Sequence, residues 1–154
     1  MYICIRLCLY FTSRAGGITM ANYKKLFMNY MDMEGIKYVD RDEHVVRVTY
    51  TGDNLKTIPV YVFFDEDGDP IVQFKCWEIA NFKGKEGKGI YACNMMNKEY
   101  RWVKFSLDDD SDIVASIDAY VSSDNCGEVC MALVRRVVNI TDDAYPTFAK
   151  AMWA

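Results

Sequence analysis

Residues 58–79 read IPVYVFFDEDGDPIVQFKCWEI, and this stretch decides the fold. The run 58–64 is apolar on both faces, as a central strand covered on two sides would be. The acidic, glycine-containing segment 65–69 reads as a turn, and 71–79 returns as a second strand, so the whole predicts a long hairpin. Upstream the period is again two. Residues 45–50 place Val46, Val48 and Tyr50 on one face with Arg47 and Thr49 on the other, and 36–39 is a shorter strand joined to it through 41–44. Ahead of these, Asn22 can cap a helix whose apolar Tyr23, Leu26, Phe27, Tyr30 and Met31 recur at helical spacing, with Gly35 as its closing residue.

Downstream, the lysine- and glycine-rich segment 83–89 reads as a solvated loop, and 90–99 as a second helix. Residues 101–107 and 112–121 form another hairpin around 108–111. A last helix begins after Asn125. Cys126, Val129, Cys130, Leu133, Val137 and Ile140 make one apolar stripe on it, and Met131, Val134 and Val138 make a second beside it. Pro146 lacks an N–H, so this helix is expected to kink near Asp142 or restart at Thr141, with Tyr145, Phe148, Met152 and Trp153 as a terminal apolar face. The order is α-β-β-β-β-α-β-β-α, an antiparallel sheet with packed helices in the α+β class.

Composition narrows the chemistry. The chain has 154 residues, 51% hydrophobic and 26% charged, enough for one domain with a real core. A net charge of -4 argues against a nucleic-acid or anionic-membrane partner, and no apolar run reaches the roughly 20 residues of a membrane-spanning helix. One histidine, His44, leaves little for acid–base or metal chemistry. Residues 1–19 differ from the rest. They hold Cys4 and Cys8, two arginines and no acid, and fit a secretory signal poorly. Ala15, Gly16 and Gly17 can be encoded by a purine-rich ribosome-binding sequence just ahead of Met20, so Met20 is the expected start and 1–19 a translated leader. Residues 20–154 then form a single domain of charge -6, since only two arginines are lost. A genuine hydrophobic arm is the other reading.

Several motifs have bland explanations. Segment 83–89 has no Ser or Thr after either Gly-Lys pair, so it is not a phosphate-binding loop. The acidic turns at 65–69 and 108–112 miss the spacing of calcium loops. Cys126 and Cys130 face one way on a helix but have no companion ligands, and Cys76 and Cys93 stand singly in apolar faces. All four read as buried free thiols of a reducing cytoplasm. No Ser-His-Asp or Cys-His set can be assigned, and the sequon at Asn139 sits at the end of an apolar helix.

Residues 94–108, NMMNKEYRWVKFSLD, precede an alternating strand, a polar break and a helix ending DAYPTF at 143–148; this half resembles the second half of the bacterial YbjN family. The leading helix and the FDEDG turn at 64–68 fit its first half, so the resemblance covers roughly 20–153. Its recurrent positions, such as the spacing from Asn97 to Lys104 and Phe105, include no catalytic residue. The resemblance implies a fold similar to type III secretion chaperones, which are α+β dimers holding segments of other proteins, and a sensory transduction regulator. The long 83–89 loop and the abundant Cys and Met depart from that pattern.

These readings converge on a cytoplasmic, non-enzymatic binding module without cofactor or metal, acting as a homodimer toward an unknown polypeptide partner and not toward nucleic acid or membrane. The alternatives are an enzyme with an unrecognised carboxylate site, or a membrane-associated regulator if 1–19 are made. The expected partner or dimer surface is Tyr61 and Phe63, alternating with core residues in 58–64, together with Met131, Val134 and Val138. The stripe of Cys130, Leu133 and Val137 should pack on the sheet, leaving the other for the folded-back terminus or a second copy.

Overall fold

A computed structural model describes residues 22–65 and 68–153; the expectation of a leader over 1–19 lies outside these described residues. Helix α1 spans Tyr23–Met33. Asn22 caps it, its Oδ1 accepting the Lys25 N–H at 2.8 Å. At the far end Gly35 sits at φ 66° and donates to the Asp32 carbonyl at 3.3 Å, while Ile36 donates to the Met31 carbonyl at 2.8 Å. That closing turn consumes the Ile36 N–H, so the strand expected over 36–39 shrinks to β1, Val39–Asp40.

Strands β2 (Val45–Tyr50), β3 (Ile58–Phe64) and β4 (Ile71–Cys76) follow as an antiparallel meander; β3, expected to be covered on two sides, buries only alternate residues and leaves Pro59, Tyr61 and Phe63 partly exposed. Helix α2, Glu86–Glu99, then crosses to β5, Lys104–Leu107, and β6, Ile113–Tyr120, returns beside β4. Among the described residues the strands lie in the order β1-β2-β3-β4-β6-β5. Inward residues of the central strands, Val46, Val60, Val62, Val72 and Phe74, are fully buried. Helix α3, Cys126–Trp153, lies across β3, β4 and β6 on that side, and α1 packs against α3.

Part of the expected 83–89 loop is helical, because α2 begins at Glu86. An acidic residue in the first turn complements the helix dipole, and its carboxylate also accepts the Gly84 N–H at 2.8 Å and the Ser111 hydroxyl at 3.2 Å. Gly89 belongs to the buried face of that first turn, where a Cβ would come within 2.9 Å of the Phe82 ring.

Helix α3 continues through Pro146, contrary to the expected kink or restart. Proline at 146 deprives the Asp142 carbonyl of its helical donor. The Asn54 side-chain amide takes that place, donating to the Asp142 carbonyl at 3.1 Å. With α3 unbroken the terminus does not fold back, and α1 supplies the neighbouring layer. Replacing Asn54 with alanine should therefore cost about 1 kcal/mol. In a Pro146→Ala background the restored N–H satisfies the same carbonyl, and the cost of losing Asn54 should fall toward zero. Urea unfolding of the four proteins measures this coupling; equal costs in both backgrounds would contradict the assignment.

Candidate functional site

The helices occupy one face of the sheet, and among the described residues none covers the other. Cross-strand register builds that open face row by row. One row runs Arg47, Tyr61, Lys75, Ser116, and the next runs Val45, Phe63, Gln73, Asp118. Beyond β4 the alternation brings Trp77 to the same side. Its ring meets Tyr61 edge-on at 5.0 Å and Phe63 at 5.6 Å, and the Lys75 Nζ lies 5.9 Å from the Phe63 and Trp77 ring centres. All three aromatic residues and Lys75 are half-buried. The result is an aromatic platform with a cation at its centre, beside a hollow of about 250 Å³ lined by Phe63, Asp65, Ile71, Gln73 and Asp118. Gln73 donates to the Asp118 carboxylate across the strands at 2.9 Å, fixing one wall.

Edge-to-face pairs of this kind contribute roughly 0.5–1.5 kcal/mol each, so Trp77 holds both Tyr61 and Phe63 in place without a covering layer. Fixed aromatic side chains lose little entropy when a partner arrives, and a cation among them favours an acidic or carbonyl-bearing one. Arg47, in the Tyr61 row, has a buried Nε without a hydrogen-bond partner among the described residues.

The structure brings Tyr61 and Phe63 together on this face. Met131, Val134 and Val138 lie elsewhere, inside the chain's own core at 1%, 0% and 6% exposure. The candidate surface accordingly narrows to the sheet. Sequence reading missed Trp77 and Lys75, although a signal existed: Gln73, Lys75 and Trp77 alternate with Val72, Phe74 and Cys76, and antiparallel pairing sets them beside β3.

Other expected chemistry resolves locally. The Asp108 carboxylate accepts the N–H groups of Asp110 at 3.0 Å and Asp112 at 2.9 Å, and Asp69 accepts that of Ile71 at 2.9 Å, so these turn acids serve the backbone. His44 is exposed in the β1–β2 turn. Among the described residues no three His, Cys, Asp or Glu side chains converge as metal ligands would. Cys126 and Cys130 are buried with sulfurs 3.9 Å apart. The hydrogen bond between them pushes the Cys130 thiol up and the Cys126 thiol down from their ordinary values. Burial pushes Cys76 up to about 12 and Cys93 up to about 11. Both stay protonated at neutral pH, and iodoacetamide at pH 7.5 should modify them only on the timescale of unfolding. Mass spectrometry showing rapid native alkylation of either would contradict this.

Fold and site together define an α+β protein with helices on one face of its sheet and an aromatic cluster on the other. The YbjN family, described as "Putative bacterial sensory transduction regulator", matches residues 24–152, and the chain belongs to it. Among solved structures, that of YbjN from E. coli, titled a putative transcription regulator, superposes with a TM-score of 0.58 at 12% identity, covering 79% of this chain and 87% of that one. The Yersinia pestis type III secretion chaperone SycH, solved in complex with a stable fragment of YscM2, gives 0.44 at 15% identity, over 77% of this chain and 99% of that one. No curated protein matches the chain. The first superposition shows the shared fold. No helix among the described residues is long and apolar enough to cross a membrane.

Proposed function

We propose that this protein is a non-enzymatic regulatory module that binds another polypeptide through the open face of its sheet. One observation carries the reading: Tyr61 and Phe63 both pack edge-on against Trp77, with Lys75 over Phe63 and Trp77, on a face that no described helix covers. Membership in a family described as regulatory supports it. The module acts in the cytoplasm, where its buried thiols remain reduced, and works as a homodimer. Light scattering across micromolar concentrations should give twice the chain mass; a strict monomer removes the dimer from the proposal. For the binding face, a benzophenone-bearing phenylalanine placed at Phe63 should form one discrete adduct with a partner in living cells, competed by excess unlabelled protein. The same group at the buried Phe74 should form none. Absence of any specific adduct at 63, or equal adducts at both positions, would overturn the assignment.

A further inference from the structure

Strand β6 runs to Tyr120, yet β5 pairs only with its first half, from Ile113 to Ser116. The cause lies just ahead of β5: Trp102 adopts φ 73° and the Val103 N–H closes back on the Arg101 carbonyl at 3.0 Å, turning the chain out of the sheet. Residues 117–120 are thus left with one strand neighbour instead of two. Backbone groups of successive strand residues point to opposite neighbours. Ile113 bonds Ile79 and Ala80, and Val121 donates to the Pro70 carbonyl at 2.9 Å, so odd-numbered residues face β4. Asp118 and Tyr120 therefore turn their N–H and C=O groups to the open edge. Natural proteins cover or blunt such edges, because an unpaired row of donors and acceptors is a template for another strand.

Against this edge lies a groove of about 420 Å³ between β6 and α3, with apolar walls from Ile117, Ala119, Val129, Leu133 and Trp102. At its margin the Arg136 guanidinium lies 5.6 Å from the Trp102 ring centre, and among the described residues it has no carboxylate partner. Trp102 is 61% exposed. An open edge specifies an extended backbone, an apolar groove specifies alternate apolar side chains, and an unpaired arginine in an acidic protein specifies a carboxylate.

We infer that the β6 edge at 117–120 binds an extended segment of another polypeptide, which adds a strand to the sheet, places apolar side chains in the groove and pairs a carboxylate with Arg136. This rests on the polypeptide-binding reading for the class of partner, but it uses a different surface from the Tyr61 platform.

The probe is a capped heptapeptide of alternating valine and threonine with a glutamate at each end, titrated into the full-length chain and followed by amide NMR. Saturable shifts centred on Asp118 and Tyr120 are expected. A peptide with lysine in place of glutamate should bind at least tenfold more weakly, and Arg136→Glu, at an exposed position, should invert that preference. Peptides N-methylated at alternate amides, made in both registers, should lose binding in one register. A Tyr61→Ser, Phe63→Ser chain should bind the peptide as wild type does, so failure of the platform and failure of the edge are scored separately. The inference is overturned by shifts elsewhere or none at millimolar peptide, by full binding of both N-methylated peptides, or by concentration-dependent shifts of 117–120 without peptide, which would assign the edge to a second copy.

Discussion

Replacing Asp142 with alanine is expected to lower the unfolding free energy by about 3 kcal/mol, and the melting temperature by roughly 6–12 °C for a domain of this size. The side chain sits in α3 at 7% exposure, and its carboxylate accepts the N–H groups of Asp53 at 2.8 Å, Asn54 at 3.0 Å and Leu55 at 2.7 Å. Removing it strands three backbone donors and frees the β2–β3 loop from the helix. Gly52 is the counterpart, since a Cβ there would collide with this same carboxylate. Burial by itself would raise the Asp142 pKa, but the three backbone bonds outweigh it and hold the group below the ordinary carboxylate range. A depressed folded value means that the contribution is complete above the unfolded pKa of about 4 and is lost as pH falls through the folded one. The stability gap between wild type and Asp142→Ala should therefore narrow at pH 3 or below. A gap unchanged from pH 7 into strong acid would show that the charge is not what holds the loop.

Gly127→Ala sets two effects against each other. In the first turn of α3, alanine offers up to about 1 kcal/mol over glycine in helix propensity. Its Cβ, however, would overlap the Cβ and Cγ of Tyr30, where α1 crosses α3. Those atoms stand at the base of the tyrosine side chain, so no rotamer change clears them and the helices must separate. The Cys126 thiol, which donates to the Tyr23 carbonyl at 3.4 Å, would be displaced with them. Overpacking of this kind costs typically 1–3 kcal/mol, and the clash is expected to win by about 2 kcal/mol. Combining it with Tyr30→Gly, which removes both overlapped atoms, should recover at least 1 kcal/mol relative to the sum of the single changes. Simple additivity in denaturant unfolding would place the cost outside the α1–α3 crossing.

The element order was legible because each element carries its own local period. Residues 45–50 alternate from Val46 onward, 58–64 are a short apolar run ended by a turn, and the helix from Tyr23 repeats at three and four with a cap at each end. What sequence could not reveal depends on distant partners. Nothing near Pro146 says that Asn54 will take over the orphaned Asp142 carbonyl, a contact 88 residues away, so a break was the natural expectation. Nor does Val129 or Leu133 announce a groove, which exists only because Trp102 ends β5 early. The platform was half legible. Tyr61 and Phe63 follow from alternation within β3, whereas Trp77 and Lys75 join them through the pairing of β3 with β4.

The most direct measurement is the stability and partner affinity of the Tyr61→Ser, Phe63→Ser protein, read on one preparation by thermal melting and by binding to the partner identified at Phe63. Both side chains are half-buried and packed mainly on Trp77, so the double variant should lose only about 1–2 kcal/mol and remain folded while partner affinity falls at least tenfold. A loss of several kcal/mol with undiminished affinity in the folded fraction would make these residues core and contradict a binding face on the sheet.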